Sequence, residues 1–266
     1  MALPNNLLVG RHGQSEGNLA NRAVERGDLG IFTEDFMRRH SSQYRLTDIG
    51  VGQAQRAGAW LRANLPAGRR RYSVSDTVRA CETAGHFGIP GARWERSISL
   101  RERDRGKFDM MLPADKVRDY PDDPQRQIID GPYWTPPDGE SFVNLCDRAL
   151  AAALPLLDSG SVWEPDTHLA VCHGEEMWAL RYLLEGLAMA RCHEMMNSGR
   201  EDDQIWNCQI HWYRQPVSAY RYKFVRRIRP TFDEAADTGW LEIPDSSSSS
   251  QELLDEAAKV PRIMAK

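Results

Sequence analysis

Cysteine is scarce in this 266-residue chain: Cys81, Cys146, Cys172, Cys192 and Cys208 lie far apart, with no C-x-x-C pair among them. An odd, dispersed set excludes a disulfide framework and offers no zinc-type spacing, so reduced thiols in a cytoplasmic protein are expected. Long apolar runs are missing too. No window approaches the ~18 uninterrupted apolar residues of a membrane helix. The opening Met1-Ala2-Leu3-Pro4-Asn5-Asn6 puts no basic stretch ahead of an apolar one, so no secretory leader is expected. Neither sign of charge dominates, with 34 Lys and Arg against 38 Asp and Glu, a net charge of -4. A chain so balanced is not expected to bind nucleic acid or membrane through its overall field, although it can still form a local basic pocket. No internal repeat is found. The 41% of apolar residues suffices for one well-packed core.

Patterning supplies the elements. A short apolar run from Asn6 to Gly10 reads as a strand ended by the polar turn Arg11-His12-Gly13. Residues 19–45, charged and rich in arginine, read as a partly helical excursion over the surface. Thr47 caps a helix whose Val51, Ala54, Ala57, Leu61 and Leu65 recur at helical spacing, and Pro66 with Gly68 stops it. Tyr72 to Ser75 reads as a strand, with a helix from about Thr77. Residues 106–140 are proline-rich and read as a long irregular insertion of the kind that carries function. A helix follows over 141–157, with Phe142, Leu145, Ala149, Ala152 and Leu156 on its apolar face. Thr167 to Cys172 is a strand running into His173-Gly174, then come a helix over 175–187 and strands near 205–213 and 219–225. Strands alternating with helices give an α/β domain over 1–243, a mainly parallel central sheet with helices on both faces. Five serines then introduce 244–266, expected as a mobile tail.

The polar residues at strand ends carry the chemistry. His12 and His173 each stand just past the carboxyl end of an apolar strand and each precedes a glycine, which lets the backbone come close to a ligand. Ligands of open parallel sheets sit in the crevice at those ends. Arg11 and Arg79 lie next to the same ends. Two histidines and two arginines, with no metal-ligand set, suit a tetrahedral oxyanion such as phosphate. Taken singly, a strand-end histidine is more often a hydrogen-bonded structural residue and an arginine a solvated surface one; the combination shifts that balance.

Arg11-His12-Gly13-Gln14-Ser15-Glu16-Gly17-Asn18 resembles the R-H-G-x-S-x-x-N signature of the histidine phosphatase (phosphoglycerate mutase-like) superfamily. The likeness continues in order. It runs through the Leu46-Thr47-Asp48-Ile49-Gly50 helix start, the Ser75 to Ala84 block around Arg79, Leu100-Arg101-Glu102 up to Gly106, Gly139-Glu140-Ser141, and Val171-Cys172-His173-Gly174. It covers about residues 6–225 and is closest to a phosphatase-type member of branch 1.

The resemblance implies a role for each of these residues. His12 is the nucleophile that forms a phosphohistidine. Arg11, Asn18, Arg79 and His173 bind the phosphoryl oxygens. Glu102 is the general acid, because the segment after His173 reads Gly174-Glu175-Glu176 and lacks the Asp that some branches use. It also implies a small phosphorylated substrate and no metal or other cofactor.

Departures from the family pattern leave alternatives open. Arg105 stands where an aromatic is common, and with Arg101, Arg103 and Lys107 it forms either a basic rim for a second anion or an exposed turn balanced by Asp104 and Asp109. Glu175 either caps the following helix or meets a substrate amine or hydroxyl. Tyr133 and Trp134 either stack on a substrate ring or pack an irregular lid. Gly17 replaces the Trp that cofactor-dependent mutases carry. Tyr133-Trp134 before the G-E-S block looks more like plant and fungal-type phosphatases. Phosphomonoester hydrolysis is therefore expected, with mutase-like isomerisation and a catalytically silent binding module as alternatives. Eight tryptophans leave the oligomeric state open.

Overall fold

The computed structural model describes residues 5–109, 111–157, 166–215, 222–231 and 236–259, with the backbone alone over 152–157. The strands are β1 Asn6–Arg11, β2 Arg70–Ser75, β3 Trp94–Ser97, β4 Thr167–Cys172, β5 Ile210–Arg214, β6 Phe224–Ile228 and β7 Leu241–Glu242. They form one sheet in the order β3-β2-β4-β1-β5-β6-β7. The first four in that order are parallel, and β5, β6 and β7 follow beside β1, each antiparallel to the strand before it in the sheet. The short connection between β5 and β6 accounts for the antiparallel pairing of those two strands, since a parallel return needs a long crossover.

Residues alternate across the central strands. Leu7, Val9, Ala170 and Cys172 bury one face beneath α7 Phe142–Leu157, α8 Gly174–Glu185 and α9 Met189–Asn197, through Phe142, Leu145, Met177, Leu180 and Cys192. Leu8, Leu169 and Val171 bury the other beneath α3 Asp48–Asn64 and α4 Val78–His86, through Ala54, Ala57, Leu61, Ala80 and Ala84. Every residue of β4 is buried, as expected of a central parallel strand covered on both sides. The α/β architecture read from the sequence is the one present. Of the apolar face expected on α7, the side chains of Ala152 and Leu156 lie outside the described residues.

Residues 106–140 and 205–209 differ from expectation, while the partly helical excursion and the tail gain detail. Residues 106–140 are not irregular: they hold α5 Pro113–Asp119, α6 Asp123–Asp130 and 3-10 turns at Gly106–Phe108 and Gly131–Tyr133. Prolines in the first turn of α5 and α6 start these helices, since a first-turn amide needs no partner within the helix. The excursion over 19–45 contains the end of α1 Glu16–Glu25, then α2 Glu34–Arg38 and a 3-10 turn at Ser41–Gln43. Residues 205–209 are not strand. Cys208 there has φ 57°, and its amide donates to the carbonyl of His12 at 3.2 Å, so the segment clamps the first histidine turn before β5 begins. The expected start of the next strand, at 219, lies outside the described residues, and β6 runs from Phe224. Finally, residues 250–258 form α10 Ser250–Ala258, closed by a Ser249/Glu252 capping box and burying no side chain.

Candidate active site

The sheet register brings the two histidines together. Arg11 at the end of β1 pairs with Cys172 at the end of β4, so the next residues, His12 and His173, leave adjacent parallel strands side by side. Neighbouring strands lie about 4.8 Å apart. The two imidazole centroids are 5.0 Å apart with their planes at 60°. Gly13 serves the backbone here, not a ligand. A Cβ on it would lie 2.6 Å from the carbonyl oxygen of Gly50, so the His12 turn is packed against the first turn of α3. Gly174 meets only ordinary contact with Arg11.

Hydrogen bonding fixes a different tautomer on each histidine. His12 Nδ1 lies 2.6 Å from the Gly13 carbonyl, which can only accept, so Nδ1 carries the proton. Nε2 then holds a lone pair, and Arg79 Nε donates to it at 3.3 Å. On His173 the roles are exchanged. Arg79 Nη2 lies 3.2 Å from Nδ1, which therefore accepts, and Nε2 donates to Ser75 Oγ at 2.9 Å with Thr77 Oγ1 at 3.3 Å. Burial, with the positive charge of Arg79 next in weight, holds both imidazoles well below the ordinary histidine range. Both rings are therefore neutral at physiological pH.

Arg79 projects from the first turn of α4, and its Nη1 donates to the carbonyl of Ser41 at 2.7 Å. Arg11 is enclosed by protein. Its Nη1 bonds the Ile205 carbonyl, while its Nε is buried with no partner among the described residues. Asn18 sits in the first turn of α1, where its Oδ1 accepts from the Ser15 amide, from Ser15 Oγ and from Asn207 Nδ2, which leaves its amide hydrogens to donate.

Glu102 reaches the site from the other side. Its Oε1 accepts from the amides of Arg103 and Glu175 and its Oε2 from that of Gly174, each at 3.1 Å. Burial, then the charge of Glu175, raises its pKa above the ordinary carboxylate value. Arg148 of α7 steadies the segment below, donating to the carbonyls of Ser99 (2.9 Å), Arg101 (3.0 Å) and Glu102 (3.2 Å) while Glu140 pairs with it at 3.0 Å.

Arg11, His12, Asn18, Arg79 and Glu102 line one cavity of about 560 Å³. His173 is fully buried behind His12 and is not among the lining residues. Arg105 and Glu175 also line it and form an ion pair with each other; Arg103 Nη1 stands 3.5 Å from the same carboxylate. Glu175 thus engages the rim arginines instead of capping α8. Tyr133 and Trp134 do not reach the cavity. Tyr133 is exposed, whereas Trp134 is buried against Phe108 and the Arg103 guanidinium, with its indole N–H on Asp123. The packing alternative describes Trp134, and neither alternative describes the exposed Tyr133.

Sequence reading missed several supports. Ser75 and Thr77 sit inside the block around Arg79 and were within reach of it. Asn207, which donates to the His12 carbonyl at 3.1 Å, and Arg148 carry no local signal. Among the described residues, no group of three His, Cys, Asp or Glu is arranged to hold a metal ion. Among them also, no helix is long and apolar enough to cross a membrane.

Known proteins fit this geometry. Two relatives named 2,3-bisphosphoglycerate-dependent phosphoglycerate mutase are similar to the chain: one from Methylocella silvestris, 30% identical, and one from Xanthobacter autotrophicus, 32% identical. Each match covers 68% of this chain and 82% of the relative. Among solved structures, mycobacterial glucosyl-3-phosphoglycerate phosphatase in complex with VO3 superposes with a TM-score of 0.57 at 26% identity, over 79% of this chain and 92% of that one. The alpha-ribazole phosphatase of Shigella flexneri shares the fold, with a TM-score of 0.59 at 18% identity over 80% and 91%. The family model for the histidine phosphatase superfamily (branch 1) matches residues 7–200, a span that takes in both histidine turns and Glu102. The chain belongs to branch 1 of the histidine phosphatase superfamily.

Proposed function

We propose that the protein is a phosphatase that hydrolyses a phosphomonoester through a phosphohistidine on His12, without a metal or other cofactor. The observation that carries this reading is the fixed tautomer of His12, whose Nε2 lone pair stands beside Arg79 in the cavity that Arg11 and Glu102 also line. In the first step Nε2 attacks phosphorus and the ester P–O bond breaks. Glu102, whose pKa burial and the charge of Glu175 raise toward that of a general acid, gives its proton to the leaving alkoxide. In the second step the Glu102 carboxylate takes a proton from water, the water oxygen attacks phosphorus, and the P–N bond breaks. Phosphate leaves, with His12 and Glu102 restored. Arg11, Arg79 and the Asn18 amide hold the phosphoryl oxygens through both steps, and the buried Arg11 Nε gains the partner it otherwise lacks. His173 acts through Arg79 and through contact with the His12 ring.

The mutase names of the relatives favour a second reading that shares the first step: the phosphoryl group returns to a substrate hydroxyl in place of water. The two separate on primer dependence. Phosphate release from a panel of phosphomonoesters, measured with EDTA present, should need no bisphosphate primer. In His12→Ala it should fall by about a thousandfold or more with the fold intact by circular dichroism. Turnover only after a bisphosphate is added selects the mutase, loss with EDTA restored by metal contradicts the cofactor-free reaction, and hydrolysis surviving in His12→Ala discards the mechanism.

A further inference from the structure

Much of the cavity is lined by residues that the phosphoryl chemistry does not use. Phe32 and Phe36 meet edge to face at 5.5 Å between centroids, and Phe36 lies flat on Tyr44 at 4.6 Å with 7° between the planes. All three line the cavity, as do Met195 and Met196 at the end of α9. This aromatic wall is tied to the site floor, because Ser41 of the same segment accepts the Arg79 Nη1 bond.

The charges of the cavity are distributed unevenly. Four arginines of the rim each meet a carboxylate: Arg101 with Asp76 at 2.6 Å, Arg200 with Asp203 at 2.6 Å, and both Arg103 and Arg105 with Glu175. Arg11 and Arg79 are the lining arginines with no such ion pair among the described residues. Cationic charge with no ion-pair contact is thus gathered at one place, the floor beside His12, where the field of Glu102 acts on both arginines. The four rim arginines share three carboxylates in these pairs, and the lining carboxylates Asp104 and Asp109 make up the difference, so a second anionic group on the substrate would meet no surplus of positive charge there.

We propose that the substrate is the single-phosphate ester of an uncharged, ring-bearing alcohol. Its phosphoryl group lies between Arg11 and Arg79, and its ring packs on the wall of Phe32, Phe36 and Tyr44. A flat, partly apolar ring face suits an aromatic wall, and cavities of roughly 300–1,000 Å³ suit ligands larger than a three-carbon acid. The inference rests on the phosphatase reading and narrows it. A phosphorylated hydroxy acid, which brings a carboxylate and no ring, is the substrate this cavity fits worst.

The test measures kcat/KM for phosphate release by the full chain on four probes: glucose 6-phosphate, adenosine 5′-monophosphate, glycerol 3-phosphate and 3-phosphoglycerate. At least one ring ester should exceed glycerol 3-phosphate by about tenfold, which corresponds to one aromatic contact, and 3-phosphoglycerate should be the poorest. The better of the two ring esters tells whether a sugar or a nucleoside is held. In Phe36→Ala the ratio of ring ester to glycerol 3-phosphate should fall about fivefold or more, and Phe36→Leu gives the same reading with the volume kept should the alanine variant misfold. A preference for 3-phosphoglycerate overturns the proposal, as does a ratio that both variants leave unchanged. Silence of the wild type on all four probes, with or without a bisphosphate primer, removes the phosphatase reading and this inference with it. Hydrolysis without ring preference removes the inference alone.

Discussion

Arginines stand both on the floor of the cavity and around its rim, and the fold treats the two sets in opposite ways. On the floor, Arg11 and Arg79 are bonded to backbone carbonyls and imidazoles and, among the described residues, form no ion pair with a carboxylate. At the rim, Arg101, Arg103 and Arg105 are matched by Asp76 and Glu175. A count of basic residues near a site therefore says little about where an anion binds. Desolvated cations lacking a counter-charge mark the place, because a ligand that supplies the missing charge relieves the cost of burying them.

The contrast is sharpest when one arginine is removed from each set. Arg79→Ala should lower kcat/KM by about a hundredfold or more on every ester, since it takes a preorganised donor from the developing charge. Arg105→Ala should change kcat/KM by no more than about threefold, alike for singly and multiply charged substrates, because its charge is already spent on Glu175. A selective loss on multiply charged substrates would restore the basic rim read from the sequence and erase the distinction.

Glu102→Gln comes next in size. It should slow alkyl esters by about a hundredfold and aryl esters far less, since a good leaving group needs little protonation. Equal losses on both would move the acid elsewhere. The pH profile tests the same carboxyl from the rim side. Activity needs Glu102 protonated, so it should fall as pH rises through the raised pKa. His12, held well below the histidine range, should give no acid limb near pH 6.5. In Glu175→Gln the second largest cause of the raised pKa is gone, and the alkaline limb should move to lower pH; a limb that stays in place or moves upward would exclude Glu102 as the titrating group.

The smallest functional effects belong to the insertion over 106–140. Trp134→Ala should cost about 3 kcal/mol in chemical denaturation while leaving the order of preferred esters as it was, the signature of packing. Tyr133→Ala, at an exposed position, should be neutral in both measurements. A changed substrate order in either variant would bring these aromatics back to the ligand.

Most of the floor was legible because it is local in sequence. His12, Arg79, Glu102 and His173 each sit in a short block whose neighbours set the strand end or helix start that presents them. The sheet was legible through the apolar strands β1 and β4 and the helical periodicity of α3. The wall was not. Residues 19–45 and 106–140 both read as polar insertions bearing aromatics, yet Phe36 lines the cavity while Trp134 packs inside its own lid. Which way an insertion folds back depends on long-range bonds such as Arg79 to Ser41 and Arg103 to the Trp134 carbonyl at 2.9 Å, and no local pattern encodes them. The turn over 205–209 was misread for the same reason: its apolar residues suit a strand, but its donors are taken by the carbonyl of His12, far away in the chain.

The close approach of Gly13 to Gly50 bears on how such a protein can change over time. Backbone meets backbone there, so no rotamer adjustment can absorb an added methyl group at either position. The His12 turn is thus set by main chain, which point substitutions elsewhere scarcely move. The aromatic wall presents side chains to the cavity, and these can be exchanged one at a time. A lineage built this way can reshape the wall of its cavity while the His12 turn stays as it was.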